Sequence, residues 1–322
     1  MAIALVVVAH TGAPGLGAFG GMGVTLFFVL SGFLITGLLV QEYDATGGID
    51  LRQFYVRRVR RLLPALIAFV VVVIAVSPFL GPWWFEWPDL LPVAFSFGNW
   101  IEAFSLTPGV SLGALSITWS LAIEEQFYLF WPLVIIVVHR HRRLLTVALV
   151  LACISFALRF VWGDGAAARV YYGSDTAAFA LLVGAATVLL RRRYAGAGSH
   201  RWLLIVAAAV FVWELTWSPV MQITPGLPVV AVASAGALWA CSGSLGVPVL
   251  ELSFLRWLGS RSYGLYLWHG PVLGAMREYY HWHWLVIAAV GVPVSLVLAE
   301  LSFRFVEKPW RMPRRSAGIR EL

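Results

Sequence analysis

His10 closes a nine-residue apolar run in "MAIALVVVAHTG", and histidine is the side chain best suited to taking a proton near neutrality. Glu124 and Glu125 lie within another apolar run, "TWSLAIEEQFYLFWPL". Successive helical residues point about 100° apart, so both carboxylates cannot face lipid cheaply and at least one should face a bundle interior. There it serves either as a structural carboxylate bonded to a neighbouring helix or as the group that orients His10 in the manner of a catalytic dyad. "FYVRRVRRLLPAL" carries Arg57, Arg58, Arg60 and Arg61. Arg57 and Arg58 each share a helix face with Arg61. The group reads either as an anchor at a basic membrane face or as a clamp for phosphate.

Three further stretches combine apolar length with polar side chains. In "GVTLFFVLSGFLIT" the Ser31-Gly32 pair is either a notch for close helix packing or a hydroxyl lining the same interior as His10 and Glu124. "LRWLGSRSYGLYLWHGPV" places Ser262, Tyr263, Tyr266 and His269 on one span, with His269 read as a hydrogen-bonding group or a second base, and Pro271 expected to break or kink the helix. His281 and His283 in "YYHWHW" have no third ligand at useful spacing, so they read as part of an interfacial aromatic belt and no metal site is expected. Cys153 and Cys241 both sit in apolar runs and suggest core packing.

The elements that must hold these residues follow from composition. Of 322 residues 60% are hydrophobic and only 12% charged, against roughly 25% charged in a soluble domain. The expectation is an all-α polytopic membrane bundle of about ten helices: 1 to 11, 23 to 40, 62 to 80, 119 to 138, 144 to 162, 175 to 190, 201 to 218, 225 to 242, 259 to 276 and 284 to 305. With both termini cytoplasmic, 20 of the 23 Lys and Arg fall in or beside inside segments, which sets the orientation. The net charge of +7 therefore reports topology rather than a nucleic-acid partner. Residues 81 to 118 are the one long outside segment, and 89 to 104 should dip in as a short or re-entrant helix. The first span offers about half a bilayer of helix, so a start upstream of Met1 is expected.

In their order along the chain, "GVTLFFVLSGFLIT", "FYVRRVRRLLPAL", "TWSLAIEEQFYLFWPL", "LGSRSYGLYLWHGPV" and "FVEKPWR" resemble the membrane acyltransferase-3 family, whose members O-acylate glycans, lipids and antibiotics. The resemblance implies one membrane domain over 1–311, followed by a basic tail at 312–322, in the cell membrane. It implies an acyl-CoA donor, probed from the cytoplasm by Arg57, Arg58 and Arg61, with no permanently bound cofactor. His10 matches the histidine held essential for transfer, either as base or through an acyl-His intermediate. Glu124 and Glu125 would orient it or bind the acceptor, with Ser31, Tyr263 and His269 on the substrate side, and the acceptor would be a hydroxyl of a carbohydrate-containing molecule.

The family's Arg eleven residues before that histidine would fall upstream of Met1. Thr25 stands where the family often has Asp, and Ala177 where it often has Arg. A transporter of acylated glycolipid or short acids, and an inactive family member, are the competing expectations.

Overall fold

A computed structural model describes residues 1–81, 84–104, 112–139, 143–162, 167–194, 200, 202–217, 222–242 and 251–311; the tail at 312–322 lies outside these. Among them the chain is helical and has no strand. The helices are α1 (Ala2–His10), α2 (Ala18–Thr46), α3 (Leu51–Leu80), α4 (Leu90–Ala94), α5 (Gly98–Phe104), α6 (Trp119–His139) and α7 (Leu144–Val161). They continue as α8 (Ala167–Tyr172), α9 (Ser174–Arg193), α10 (Trp202–Glu214), α11 (Leu227–Cys241), α12 (Ser253–Ser260), α13 (Ser262–Gly274) and α14 (Trp284–Trp310). Seven helical segments of the described residues are long and apolar enough to cross a membrane, and the chain is a multi-pass membrane protein.

The three other expected spans are helical but short. α1 has nine residues and α10 thirteen, while the span at 259 to 276 divides at Arg261 into α12 and α13. Pro271 does not break the helix. α13 runs through it to Gly274, supported by buried packing on both sides of the proline, and the turn widens to a π-helix only at Ala275–Tyr279. The expected re-entrant helix at 89 to 104 is two helices, α4 and α5. Ser96 between them has φ 55°, a left-handed conformation that no helix continues through.

Local chemistry accounts for the sharpest turn. α2 ends at Gly47, in left-handed conformation at φ 76°, with its N–H on Tyr43 O at 2.8 Å. Asp50 then caps α3 by accepting from Gln53 N at 2.8 Å, and its own N–H bonds Glu42 Oε1 at 2.8 Å. This turn and the Arg192–Asp44 ion pair at 2.6 Å mark one end of the bundle, here the arginine end. His10 and the start of α2 lie at the other.

The centre is built on α2 and α9, whose backbones touch. A Cβ at Gly32 would overlap the Leu181 carbonyl, and one at Gly184 would overlap that of Val29. A Cβ at Gly23 would in turn press on Val6 of α1, 2.6 Å from its Cγ2. Small residues permitting such approach are the usual means of joining helices in lipid, where no hydrophobic force distinguishes helix from solvent. Trp131 Nε1 ties α6 to the same helix through Thr36 Oγ1 at 2.8 Å.

At the His10 end, Arg169 pairs with Asp175 at 2.9 and 2.7 Å while its guanidinium lies over Trp162, Trp100 and Phe104 at 4.5, 4.9 and 5.5 Å. This holds α5, α8 and the start of α9 as one unit. Backbone on backbone leaves no side chain to swing aside, so Gly32→Ala should destabilise the fold by about 1–3 kcal/mol. A lowered thermal unfolding midpoint in detergent checks this; an unchanged midpoint contradicts the packing described.

Candidate active site

His10 is the last residue of α1 and is partly buried. Its Nδ1 lies 2.8 Å from Val6 O, and a carbonyl oxygen only accepts, so Nδ1 carries the hydrogen. In the neutral ring Nε2 is then the atom with the lone pair, the one that takes a proton. The imidazole of His269 meets it edge to face, with centroids 4.9 Å apart and planes at 86°. His269 is fully buried, donates from Nδ1 to Leu265 O at 3.1 Å, and has no hydrogen-bond partner at Nε2 among the described residues. Two histidines far apart in the chain therefore share one tautomer and one contact. The guanidinium of Arg277 is within electrostatic reach of His10, and its Cδ sits 3.4 Å from where a Cβ of Gly12 would be.

The carboxylates lie elsewhere. Glu124 Oε2 accepts from Tyr128 Oη at 3.3 Å, and that phenol meets Ser31 Oγ at 2.5 Å. Tyr128 is four residues beyond Glu124 and so shares its helix face. Arg58 stacks over the rings of Tyr128 and Phe54, at 5.3 and 5.6 Å, and with Arg61 supplies the positive charge around Glu124. Glu125 points away, accepting from Ser96 Oγ between α4 and α5. Neither carboxylate is hydrogen-bonded to His10, which bonds Val6 O and packs on the His269 ring; orientation of the imidazole by Glu124 or Glu125 has no counterpart in a direct bond. Ser31 does share its interior with Glu124, and the notch at Ser31-Gly32 serves both packing and polarity.

The arginines divide in the same way. Arg57 is exposed and pairs with Glu42 at 3.4 Å and with Gln53, so it does not join Arg61. Arg58 turns inward, partly buried, and Arg61 stays exposed at the arginine end while remaining in reach of Glu124. Of Arg57, Arg58, Arg60 and Arg61, Arg58 alone is partly buried, with Arg61 near enough to add positive charge at Glu124.

One helix face connects the two ends. Tyr263, Tyr266 and His269 recur every three residues on α13, spanning about 9 Å of helix. Tyr263 Oη donates to Leu62 O on α3 at 3.0 Å and lies within electrostatic reach of Arg61 and Glu124. Tyr266 Oη meets Ser120 Oγ at 2.5 Å, and its ring lies 5.5 Å from that of His269. Sequence reasoning named Tyr263 and His269 but missed Tyr128, whose spacing from Glu124 signalled it. It also missed Arg159, a charge inside an apolar run. Arg159 is 1% exposed and donates to Thr176 O at 2.8 Å, Thr224 O at 3.2 Å and Ile223 O. It lines the same small void as Thr25 and Ala177, so a guanidinium stands beside Ala177 although that position has none of its own.

An acyltransferase domain family model matches residues 1–301, nearly all of the described helices. The chain belongs to the acyltransferase-3 family. Among curated proteins this acyltransferase is similar to the peptidoglycan O-acetyltransferase OatA of Listeria monocytogenes, 35% identical over 327 residues, covering 91% of this chain and 51% of that one. It is also 35% identical over 329 residues to a putative peptidoglycan O-acetyltransferase, YrhL, of Bacillus subtilis, covering 91% and 50%. The chain thus spans about half the length of the curated relatives it matches. No solved structure matches it.

Within the candidate site, the Ser31–Tyr128 bond joins α2 to α6 beside Glu124. A double-mutant cycle of Ser31→Ala and Tyr128→Phe should give a coupling energy of about 1 kcal/mol in unfolding measurements. Strict additivity of the two substitutions contradicts the bond.

Proposed function

We propose that this acyltransferase moves an acetyl or other short acyl group from acyl-CoA to a hydroxyl of a glycan, glycolipid or glycosylated metabolite. The names of the two relatives favour a glycan acceptor and an acetyl group. The observation that carries the reading is the polar face of α13, which runs from the Arg58–Arg61–Glu124 group to His269 and His10. Ser31, Glu124, Arg58, Tyr263 and His10 along this line each keep part of their surface open, while Tyr266 and His269 between them are buried.

In this reading the arginine end and both termini face the cytoplasm, in agreement with the concentration of Lys and Arg there, and the membrane is the cell's plasma membrane. Arg58 and Arg61 hold phosphate oxygens of the donor, and guanidinium suits them because it bonds them bidentately. The acyl thioester lies along Tyr263 and Tyr266. At the other end the acceptor hydroxyl meets His10 Nε2, which takes its proton as the oxygen attacks the thioester carbonyl. The carbon–sulfur bond breaks, and the departing CoA thiolate recovers the proton from the imidazolium. Glu124 balances Arg58 and the nearby Arg61 when no phosphate is bound, which keeps the partly buried Arg58 inside the bundle at tolerable cost.

Loss of a general base costs about 10²–10⁴-fold. His10→Ala should lower acyl transfer to glycan by that amount in purified, folded protein, measured with labelled acetyl-CoA. Arg58→Ala should instead raise the KM for acetyl-CoA. Transfer by His10→Ala at the parental rate would remove His10 from this role.

A further inference from the structure

A second group of guanidinium side chains gathers at the arginine end, where α3, α13 and the end of α14 meet. The transfer reaction described above does not use it. Arg261, between α12 and α13, donates from Nε to Glu300 Oε2 at 2.5 Å and from Nη2 to Glu300 Oε1 at 3.4 Å. Its Nη1 bonds Ser260 Oγ at 2.7 Å, and its guanidinium lies over the rings of Trp257 and Phe303 at 4.9 and 4.3 Å. All three of its nitrogens are engaged, so Arg261 is a brace.

The buried carboxylate of the group is closed as well. Glu307 is 1% exposed and accepts from Arg311 Nη2 at 2.8 Å; a Cβ at Gly264 would lie 2.9 Å from its Oε1. Its part is to aim Arg311, whose guanidinium lies over the same Phe303 ring at 4.8 Å. What stays open are donors. The Arg311 side chain is 35% exposed, and its Nη1 has no hydrogen-bond partner among the described residues. Arg304 is 67% exposed and bonds Glu300 through Nε at 2.6 Å, which leaves both its Nη atoms without a partner among the described residues.

Charge and position together select the ligand. Arg61 lies within electrostatic reach of both Glu307 and Glu124, so this group adjoins the one around Glu124. Across the two, Arg58, Arg61, Arg261, Arg304 and Arg311 stand against Glu124, Glu300 and Glu307, an excess of two positive charges. Crowded like charges repel unless an anion offsets them. A phosphate monoester carries about −1.5 to −2 charges near neutrality and three acceptor oxygens, which matches that excess. A carboxylate or a phosphodiester carries only one charge. Coenzyme A holds its phosphates in the same order as the arginines: the diphosphate adjoins the pantetheine arm, and the 3′-phosphate monoester on the ribose lies farther from the thioester. Arg58 turns inward, Arg61 is exposed, and Arg304 and Arg311 follow outside them.

We propose that Arg304 and Arg311 hold the 3′-phosphate of the acyl-CoA donor, with Glu300 and Glu307 as positioning residues and Arg261 as the brace between them. The subsite rests on the acyl-CoA reading for its ligand and adds which end of the donor the chain recognises. An acyl group on a phosphopantetheine arm has no ribose, so this subsite selects free acyl-CoA over an acylated carrier.

The test uses the full chain in lipid nanodiscs and compares equilibrium binding of acetyl-CoA with that of 3′-dephospho-acetyl-CoA. The wild type should bind acetyl-CoA about tenfold more tightly than the analogue. Arg304→Gln and Arg311→Gln should each lower that ratio of Kd values by about threefold or more. Arg304 is exposed enough for its substitution to leave the fold intact, so the test stands on that variant if Arg311→Gln unfolds. A wild-type ratio near one, or a ratio unchanged in Arg304→Gln, overturns the subsite. So does phosphatidic acid, a lipid with the same monoester, retained by the wild type and lost from Arg304→Gln while the donor ratio holds. Transfer from acetyl-CoA by a wild type whose ratio is near one defeats the subsite alone, whereas a chain that binds neither donor defeats the acyl-CoA reading with it.

Discussion

A carboxylate between apolar helices needs donors and a counter-charge supplied by its neighbours, because an unsatisfied charge there costs far more than a hydrogen bond returns. At Glu124 the donors and charges come from three helices. Tyr128 on α6 donates to it, Ser31 on α2 meets that phenol, and Arg58 and Arg61 on α3 supply positive charge. Satisfying one residue thus fixes how three helices meet. The small residues serve the same end: α2 reaches α9 at backbone distance through Gly32 and Gly184, which leaves the Ser31 side of α2 turned toward α6.

The two ends of the bundle have different characters. At the arginine end Glu307, paired with Arg311, is buried, while several charges are paired near the surface: Arg57 with Glu42, Arg192 with Asp44 and Arg304 with Glu300. Such exposed pairs are worth little, about 0–1 kcal/mol each, and a phosphate can displace them. At the His10 end the polar groups are locked by buried contacts. Asn99 Nδ2 bonds Ser174 Oγ at 2.9 Å, Gln126 Nε2 bonds Asn99 Oδ1 at 3.0 Å, and Arg169 is caged by three aromatic rings. Surface pairs at one end and buried contacts at the other suit the proposed transfer, in which the donor comes and goes while geometry at His10 stays constant.

Much of this was legible one span at a time. Apolar length marked nearly every helix, the two adjacent glutamates had to differ in direction, and the Ser31-Gly32 pair stood out as either a packing notch or an interior hydroxyl. What the residues could not disclose was partnership across helices, because spacing within a helix gives a face and never the helix it meets. Hence Glu124 and Glu125 stayed open between a structural bond and orientation of His10, whereas the imidazole's ring neighbour is His269, 259 positions away in the chain. Arg57 and Arg58 looked equivalent, yet one turns out to Glu42 and the other in to Tyr128. Ser96 broke the expected re-entrant helix through a backbone conformation that its residue type does not announce.

In the proposed reaction donor and acceptor approach His10 from opposite ends of the bundle. Reconstitution into sealed vesicles of one orientation, with labelled acetyl-CoA confined to the arginine end and glycan to the His10 end, measures it directly. The account predicts acetylated glycan in that arrangement and none when the two are exchanged. Transfer only when both substrates share one compartment would contradict it.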